Sequence, residues 1–397
     1  MAKLRELIVP PPLKDRLAQG HPWLYRDKLP KDSHFATGEW LKLRCSNWSG
    51  FGLWENKGPI AVRIFSRRQL PDPVWFKAQV RQAWELRGPL RQQNCTAYRW
   101  LFGEGDGLPG LTVDLYGQYA VVQTYMEGAQ RLLDWLVPAL REIAPLQGIL
   151  WRTKHLENPD DRQALDQKTQ RLWGQEPPHE ITVKEHGLAF QVNLHTGQKT
   201  GLFLDHRENR RFIGPLCQQK TVLNCFAYTG AFSLYALRGG ARRVTSVDIG
   251  KNLAAVAEAN IHLNQLDPSR HDFVTADCFD LLQRYHQTQQ TFEVVILDPP
   301  SFAKSKQNRF AALRAYTKLN ALALQCVAPN GLLVSASCTS QVGPEAFKEM
   351  LASAAAQSQR RLQILHEAGQ PLDHPVPAGF PEGRYLKFIV CKVSDLV

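Results

Sequence analysis

The sequence predicts an α/β protein whose C-terminal part is a seven-stranded, Rossmann-like, doubly wound sheet, preceded by a small N-terminal β-barrel and a central α+β domain. Three observations predict it. Beyond Thr200, apolar runs of strand length alternate with helical stretches at the spacing of βαβ units. Within residues 1–70, Ile60, Val62 and Ile64 alternate with Ala61, Arg63 and Phe65 at strand period. Finally, Val294-Val295-Ile296-Leu297 stops at Asp298-Pro299-Pro300, and Leu332-Leu333-Val334 leads to Ser337-Cys338-Thr339, so an acid and a thiol close two successive strands. At 397 residues the chain is too long for one domain of about 150 residues, and boundaries fall at 1–70, 71–195 and 196–397.

In the first module, Gly38-Glu39-Trp40 opens a strand and Trp48-Ser49-Gly50-Phe51-Gly52 marks a turn or bulge. Gly20-His21-Pro22-Trp23 stands just before it, placed to plug one end of a compact barrel. In the second, Val74, Trp75, Ala78, Ala83, Trp84 and Leu86 recur at helical intervals, and Gly103 to Gly110 is too glycine-rich for regular structure. Leu111–Leu115 and Tyr119–Gln123 form a hairpin, a helix covers 128–142, a strand covers 148–152, and polar residues 155–179 read as a linker. Leu188, Phe190, Val192 and Leu194 then alternate as one more strand. In the third module, strands are expected at 221–226, 243–248, 272–276, 293–298, 331–337, 361–366 and 385–393. The return from the sixth to the seventh lacks a helix, so the sheet ends in an antiparallel hairpin.

With 44% hydrophobic and 21% charged residues, the composition is that of a soluble protein, and no stretch approaches the ~18 apolar residues of a membrane span. The N-terminus lacks an apolar signal core and meets Pro10-Pro11-Pro12 at once, which predicts a cytoplasmic protein without a membrane partner. Eight cysteines occur without any Cys-x-x-Cys spacing, against a disulfide framework or a zinc site, and no metal is expected. Residues 1–70 hold 13 Lys/Arg against 6 Asp/Glu, a net of +7 in a chain whose net charge is +11. That asymmetry fits a polyanionic substrate, or equally a solubilising surface.

Thr221 to Phe226 runs into Ala227-Tyr228-Thr229-Gly230 and then a helix from Ala231: a strand, a tight turn and a helix N-terminus, with Gly230 permitting close approach of a ligand. The three spaced glycines of a dinucleotide fingerprint are missing. The next strand delivers Asp248 for ribose hydroxyls, and the third ends at Asp277, suited to the exocyclic amine of adenine, although each acid would also serve as a helix N-cap. Ribose and adenine without a phosphate cradle describe S-adenosylmethionine better than NAD or ATP.

Taken with Gly197-Gln198-Lys199-Thr200-Gly201, Leu204-Asp205-His206-Arg207, Asn224 to Gly230, Asp298-Pro299-Pro300 and Asp373-His374-Pro375-Val376, the chain resembles RNA methyltransferases that join an N-terminal PUA domain to a class I S-adenosylmethionine domain. Among them it is similar to the bacterial cytosine-C5 methyltransferases of 23S rRNA. The resemblance implies large-subunit rRNA as partner and a cofactor site built from Asn224, Phe226, Tyr228, Thr229, Gly230, Asp248, Ile249, Asp277, Cys278 and Asp298. Residues 224–230 would face the methionine part, Asp248 the ribose, and Asp277 with Cys278 the adenine. An apolar patch on the central domain would allow a homodimer.

The thiol bears on the reaction. Cytosine C5 is a poor nucleophile until another nucleophile adds at C6, and a soft thiolate suits that addition. Cys338 is the candidate nucleophile and Asp298 the group that holds the base, the lesser alternative being that Cys338 is a buried strand-end residue. Many related enzymes carry a second cysteine directly after the acid-Pro-Pro motif; here Ser301 occupies that place, so the motif names no base for the C5 proton. Lys304, Lys306 and Arg309, with Lys199, Arg207 and Arg210 nearer the start of the third module, are candidate phosphate contacts. The alternatives are methylation of another base, such as guanine N7 or an exocyclic amine, and a noncatalytic RNA-binding assembly factor.

Overall fold

The computed structural model describes residues 4–153, 169–302 and 308–395. It divides into two compact units: one of residues 1–184, 192–204 and 372–383, the other of residues 185–191, 205–371 and 384–397.

The first unit contains two sheets. Strands β1 (Arg5–Ile8), β2 (Trp23–Tyr25), β3 (Trp40–Cys45), β4 (Trp48–Trp54) and β5 (Ile60–Ser66), with the short helix α1 (Lys14–Ala18), make a five-stranded sheet of order β1-β3-β4-β5-β2. Of the two expectations for this module, one holds and one is corrected. Trp48–Gly52 carries the bulge, at Phe51/Gly52 within β4, while the tight turn comes earlier, at Ser46 with φ +54°. Gly20-His21-Pro22-Trp23 does not precede the sheet but leads into β2, its edge strand beside β5, and Trp23 Nε1 donates to Glu104 Oε1 at 2.8 Å.

Helices α2 (Pro73–Leu86), α3 (Gly88–Gln92) and α4 (Leu133–Ile143) accompany the second sheet. Its strands are β6 (Ala97–Phe102), β7 (Leu111–Tyr116), β8 (Tyr119–Thr124), β9 (Gly148–Thr153) and β10 (Thr169–Gly174), in the order β10-β9-β8-β7-β6. Asp72 caps α2 by accepting from Trp75 N, and the helix buries Phe76, Val80 and Ala83 against Trp100, Leu111 and Leu136. Leu53 and Phe65 of the first sheet join that same core. The expected linker at 155–179 is corrected in part: residues 154–168 lie outside the described residues, but 169–174 pair with β9. Their polar edge-strand composition hid a strand whose Leu172 and Trp173 pack on the core.

The glycine-rich stretch is a turn fastened from several sides. Asp106 accepts from both Arg87 guanidinium nitrogens, at 2.6 and 2.7 Å, and from Phe102 N at 2.6 Å. Arg99 N donates to Asp373 Oδ2 at 2.9 Å and Arg87 Nη2 to Asp373 O at 2.8 Å, so residues 372–383 are stitched into this unit. A Cβ on Gly105 would meet Pro375 O at 2.0 Å, which no side chain allows.

The chain passes from the first unit to the second across β11 (Ile181–Glu185) and β12 (Leu188–Val192). After α5 (Arg207–Leu216) the second unit is built of β13 (Thr221–Cys225), α6 (Ala231–Arg238), β14 (Arg243–Asp248), α7 (Leu253–Leu263), β15 (His271–Thr275), α8 (Cys278–Gln287), β16 (Phe292–Leu297), α9 (Arg309–Gln325), β17 (Val327–Ser337), α10 (Pro344–Gln357), β18 (Arg360–Ala368) and β19 (Lys387–Asp395). The seven-stranded order is β15-β14-β13-β16-β17-β19-β18, as expected doubly wound, with β19 antiparallel between β17 and β18. Strands β13 and β16 lie side by side while their successors run outward in opposite directions. Their carboxyl ends therefore mark the switch point where ligands bind in such sheets. Buried on both faces, β16 reads as the continuous run Val294 to Leu297, all four fully buried.

Candidate active site

The loop leaving β13 forms one end of the crevice. Phe226, Tyr228 and Gly230 all take left-handed backbone angles, with φ of 59°, 48° and 78°. Two non-glycine residues in that region need holding, and Asp248 supplies part of the hold: its Oδ2 accepts from Tyr228 N and its Oδ1 from Gly250 N, both at 2.9 Å. Ala227 N adds a bond to Val247 O at 2.9 Å. Asp248 is half-buried and Ile249 is 69% exposed, leaving an acid and an apolar side chain open at the strand end. Phe226 and Tyr228 are half-buried, whereas Thr229 is buried.

Two members of the expected cofactor set are corrected as side-chain ligands. Asn224 is buried beneath the loop, its Nδ2 donating to Ser233 Oγ at 2.9 Å. Ser233 Oγ in turn meets Ser246 Oγ at 2.7 Å, and Ser246 meets His271 Nε2 at 2.8 Å. Burial lowers the His271 pKa, against an opposing pull from Asp272, so this chain favours a neutral imidazole. Cys278 is also buried, its thiol packed into the core with Leu281 and Val295, so only its backbone remains for a ligand. Asp277 caps α8 through Oδ1, accepting from Phe279 N at 2.8 Å and Asp280 N at 3.2 Å, and is exposed at the strand end. The N-cap role is therefore real, and it fixes the carboxylate at the strand end.

The other end of the crevice is assembled from distant parts of the chain. In the parallel pair β16 and β17, Leu297 stands opposite Ser335, so Asp298 and Cys338 leave the same edge of the sheet on neighbouring strands. Cys338 is half-buried. Ser337 Oγ, just before it, donates to the hydroxyl of Tyr316 from α9 at 3.1 Å. Burial pushes that phenol up to about 12; the Ser337 hydrogen bond opposes this, and the charges of Cys338 and Asp298 add to it.

His206, named above only as part of a motif, brings its Nε2 to 3.2 Å from Asp298 Oδ1. Asn209 Nδ2 reaches His206 Nδ1 at 3.1 Å, and since an amide nitrogen only donates, the ring carries its proton on Nε2, toward the acid. The contact is close but not aligned as a hydrogen bond, leaving Nε2 buried without a partner of good geometry. Phe232 and Phe388 hold the ring edge-on at 5.5 and 6.0 Å. Asp205 accepts from Tyr385 OH at 2.8 Å. Lys387 was also missed. It stands opposite Ser337 in the β17–β19 register and donates to Thr339 O and Tyr385 O. A lysine inside the apolar run Leu386 to Val390 was the available signal.

The basic candidates separate. Arg210 is locked against buried Glu185, its Nη2 2.7 Å from both carboxylate oxygens, and Arg207 is fully buried with Nε donating to Glu208 Oε1 at 3.1 Å. Both expectations of phosphate contact are corrected, because neither guanidinium is open to solvent. Lys199 is half-buried over the Phe203 ring at 4.2 Å, and Arg309 is exposed at the start of α9. Lys304 and Lys306 lie outside the described residues. No group of three or more possible metal ligands occurs among the described residues, and no helix among them is long and apolar enough to cross a membrane.

Comparison with known proteins supplies the family. Residues 115–377 match the S-adenosylmethionine-dependent methyltransferase family and residues 7–67 a PUA-like domain. The protein named ribosomal RNA large subunit methyltransferase I of Aliivibrio fischeri (strain MJ11) is 36% identical over 383 residues, covering 95% of this chain and 96% of its own. Its namesake from Aeromonas salmonicida is 35% identical over 382 residues, covering 95% and 96%. A crystal structure of a protein assigned as a methyltransferase, in complex with SAH, superposes with a TM-score of 0.87 at 26% identity, covering 98% of this chain and 100% of that one. A second, from Streptococcus mutans, gives 0.85 at 25% identity with the same coverage. The open acid of Asp248, the exposed Ile249 and the exposed cap Asp277 fit the sugar and base of that cofactor. Switch-point geometry and family match agree: the chain belongs to the S-adenosylmethionine-dependent methyltransferases, in a form carrying an N-terminal PUA-like domain.

Proposed function

We propose that this chain methylates cytosine at C5 in large-subunit rRNA through a covalent adduct between Cys338 Sγ and C6 of the target base. The observation that carries this reading is the thiol: of eight cysteines, all among the described residues, Cys338 alone is partly open while the other seven are buried. It leaves β17 beside the strand that delivers Asp298. The relatives named as large-subunit rRNA methyltransferases and the PUA-like domain support rRNA as the substrate.

When bound, the cofactor supplies an electrophilic methyl group. Cys338 adds to C6, which makes C5 a nucleophile toward that methyl, and loss of the C5 proton then expels the thiolate. Asp298, steadied by the His206 ring, meets the N3 and N4 edge of the base, where addition at C6 shifts electron density. Tyr316, with its high pKa, stays a neutral phenol beside both groups. In this reading Asp248 and Ile249 hold ribose, Asp277 and the Cys278 backbone hold adenine, and residues 226–230 hold the methionine part. Lys199, Lys304, Lys306 and Arg309 contact phosphates, and a target base in a helix must turn out of its stack to reach the crevice.

Mass spectrometry of nucleosides from deproteinised rRNA incubated with labelled cofactor tests this. Label should enter 5-methylcytosine with the unaltered protein and disappear with Cys338→Ala. Label in guanine or an exocyclic amine, or full activity of the variant, would move the reaction to another base or another mechanism.

A further inference from the structure

Most of the side chains along β19 are apolar and buried, and Lys387 shares their burial at 4% exposure. Burying an ammonium is costly unless something nearby repays it. Its Nζ donates to the carbonyls of Thr339 and Tyr385, the second at 2.8 Å, and no carboxylate lies within ion-pair distance of it among the described residues. Asp298 faces His206, and Asp205 is taken by Tyr385. Tyr316 is a neutral phenol at ordinary pH. The remaining ionisable group close by is Cys338, which immediately precedes one of the two carbonyls Lys387 grips and follows the residue opposite it in the sheet.

We propose that Lys387 is a positioning residue that holds Cys338 as a thiolate, poised for addition to the base. The inference rests on the reading of Cys338 as nucleophile. The thiol gives its proton to water and the thiolate is paired with the ammonium. Its lone pair forms the S–C6 bond while the C5=C6 pair moves to C5 and takes the methyl group, the pair of the broken S–CH3 bond staying on the cofactor's sulfur. When the C5 proton leaves to water, its bonding pair restores C5=C6 and the S–C6 pair returns to sulfur, regenerating the thiolate opposite Lys387. Burial lowers the Lys387 pKa to about 8, with Cys338 pulling it back up, so the arrangement works below about that pH.

The test needs no RNA. Cys338 in the full chain is alkylated with iodoacetamide across pH 5.5 to 10, and modification at that residue is followed by peptide mass spectrometry for the unaltered protein, Lys387→Met and Lys387→Arg. Lys387→Met should slow alkylation near neutral pH by on the order of tenfold and move its midpoint up by about one pH unit. Lys387→Arg should recover part of the rate, and all three should converge at high pH. Identical profiles would overturn the proposal. So would a midpoint in the unaltered protein at or above about 8.5, the value of an ordinary thiol, and that result needs no variant to fold. A Cys338→Ala variant that still forms 5-methylcytosine would overturn the proposed function, whereas a flat Lys387 result beside an inactive Cys338→Ala would overturn this inference alone.

Discussion

At the end of the crevice proposed to take the cofactor, Asp248 and Asp277 each accept two backbone N–H groups, all from residues within about one helical turn of a strand end or from the adjoining loop. At the end proposed for the reaction, Asp298 faces an imidazole delivered from before α5, and an ammonium delivered by a strand of opposite direction grips the carbonyl next after Cys338. The first kind of site is set by backbone shape and tolerates much around it. The second is a meeting of side chains from distant segments, in which each member's state depends on the others. A site set by backbone shape suits recognition of the unreactive parts of a ligand, while coupled side chains suit bonds that form and break.

The contrast can be broken at its strongest point with Asp248→Ala. Removing a carboxylate that accepts two backbone donors should cost roughly 1.5–3 kcal/mol per lost charged hydrogen bond and weaken cofactor affinity at least tenfold, read by calorimetric titration with S-adenosylmethionine. Thiol alkylation at Cys338 should be unaffected; a change there would mean the two ends are coupled. Next comes Lys387→Met, which should stabilise the fold while slowing the reaction. The folded-state pKa of about 8 lies below the ordinary 10.5, so the ammonium is disfavoured on folding. Its full cost applies below about pH 8 and fades as pH rises from there toward 10.5, where the unfolded chain still binds the proton. The variant should gain roughly 1–3 kcal/mol in denaturant unfolding at pH 7 and lose the stability rise above pH 8. His206→Gln, which keeps a donor but loses the ring packed against Phe232 and Phe388, should lower methyl transfer by roughly threefold to thirtyfold with cofactor affinity unchanged, sharpening the split between ends. The smallest effect belongs to Asp277→Asn: asparagine caps a helix about as well as aspartate, so stability should change by less than about 0.5 kcal/mol while cofactor affinity drops severalfold.

The same division explains what could be read from the chain before its fold. The turn after β13, Asp248 and Asp277 are local patterns of strand, turn and helix start, and the seven strands fell where their apolar runs put them. Asp298 and Cys338 were legible because each closes such a run. His206 and Tyr316 were not, because nothing local marks a side chain whose meaning comes from a partner far along the chain; Lys387 carried one local mark, a lysine inside an apolar run, but not the partner that gives it meaning. Arg207 and Arg210 failed in the opposite sense: positive charge in sequence suggested an open surface, but Glu185 in β11 and the packing of α5 enclose them. The strand at 169–174 was missed because an edge strand need be apolar on only part of its surface.

The hairpin between β18 and β19 returns residues 372–383 to the first unit, where Asp373 serves Arg87 and Arg99 and Pro375 abuts Gly105. The consequence is for modularity. A fragment ending at residue 184 would keep two sheets and the Arg87–Asp106 pair but lose the Asp373 acceptors of Arg87 Nη2 and Arg99 N, and a fragment starting at 205 would carry a long apolar-flanked loop with nothing to seat it. Neither half can be traded into another protein as a bead on a string. Recombination that swaps the PUA-like end of such an enzyme must carry this inserted segment with it, so new substrate choice in this architecture is more readily reached by changing side chains than by exchanging parts.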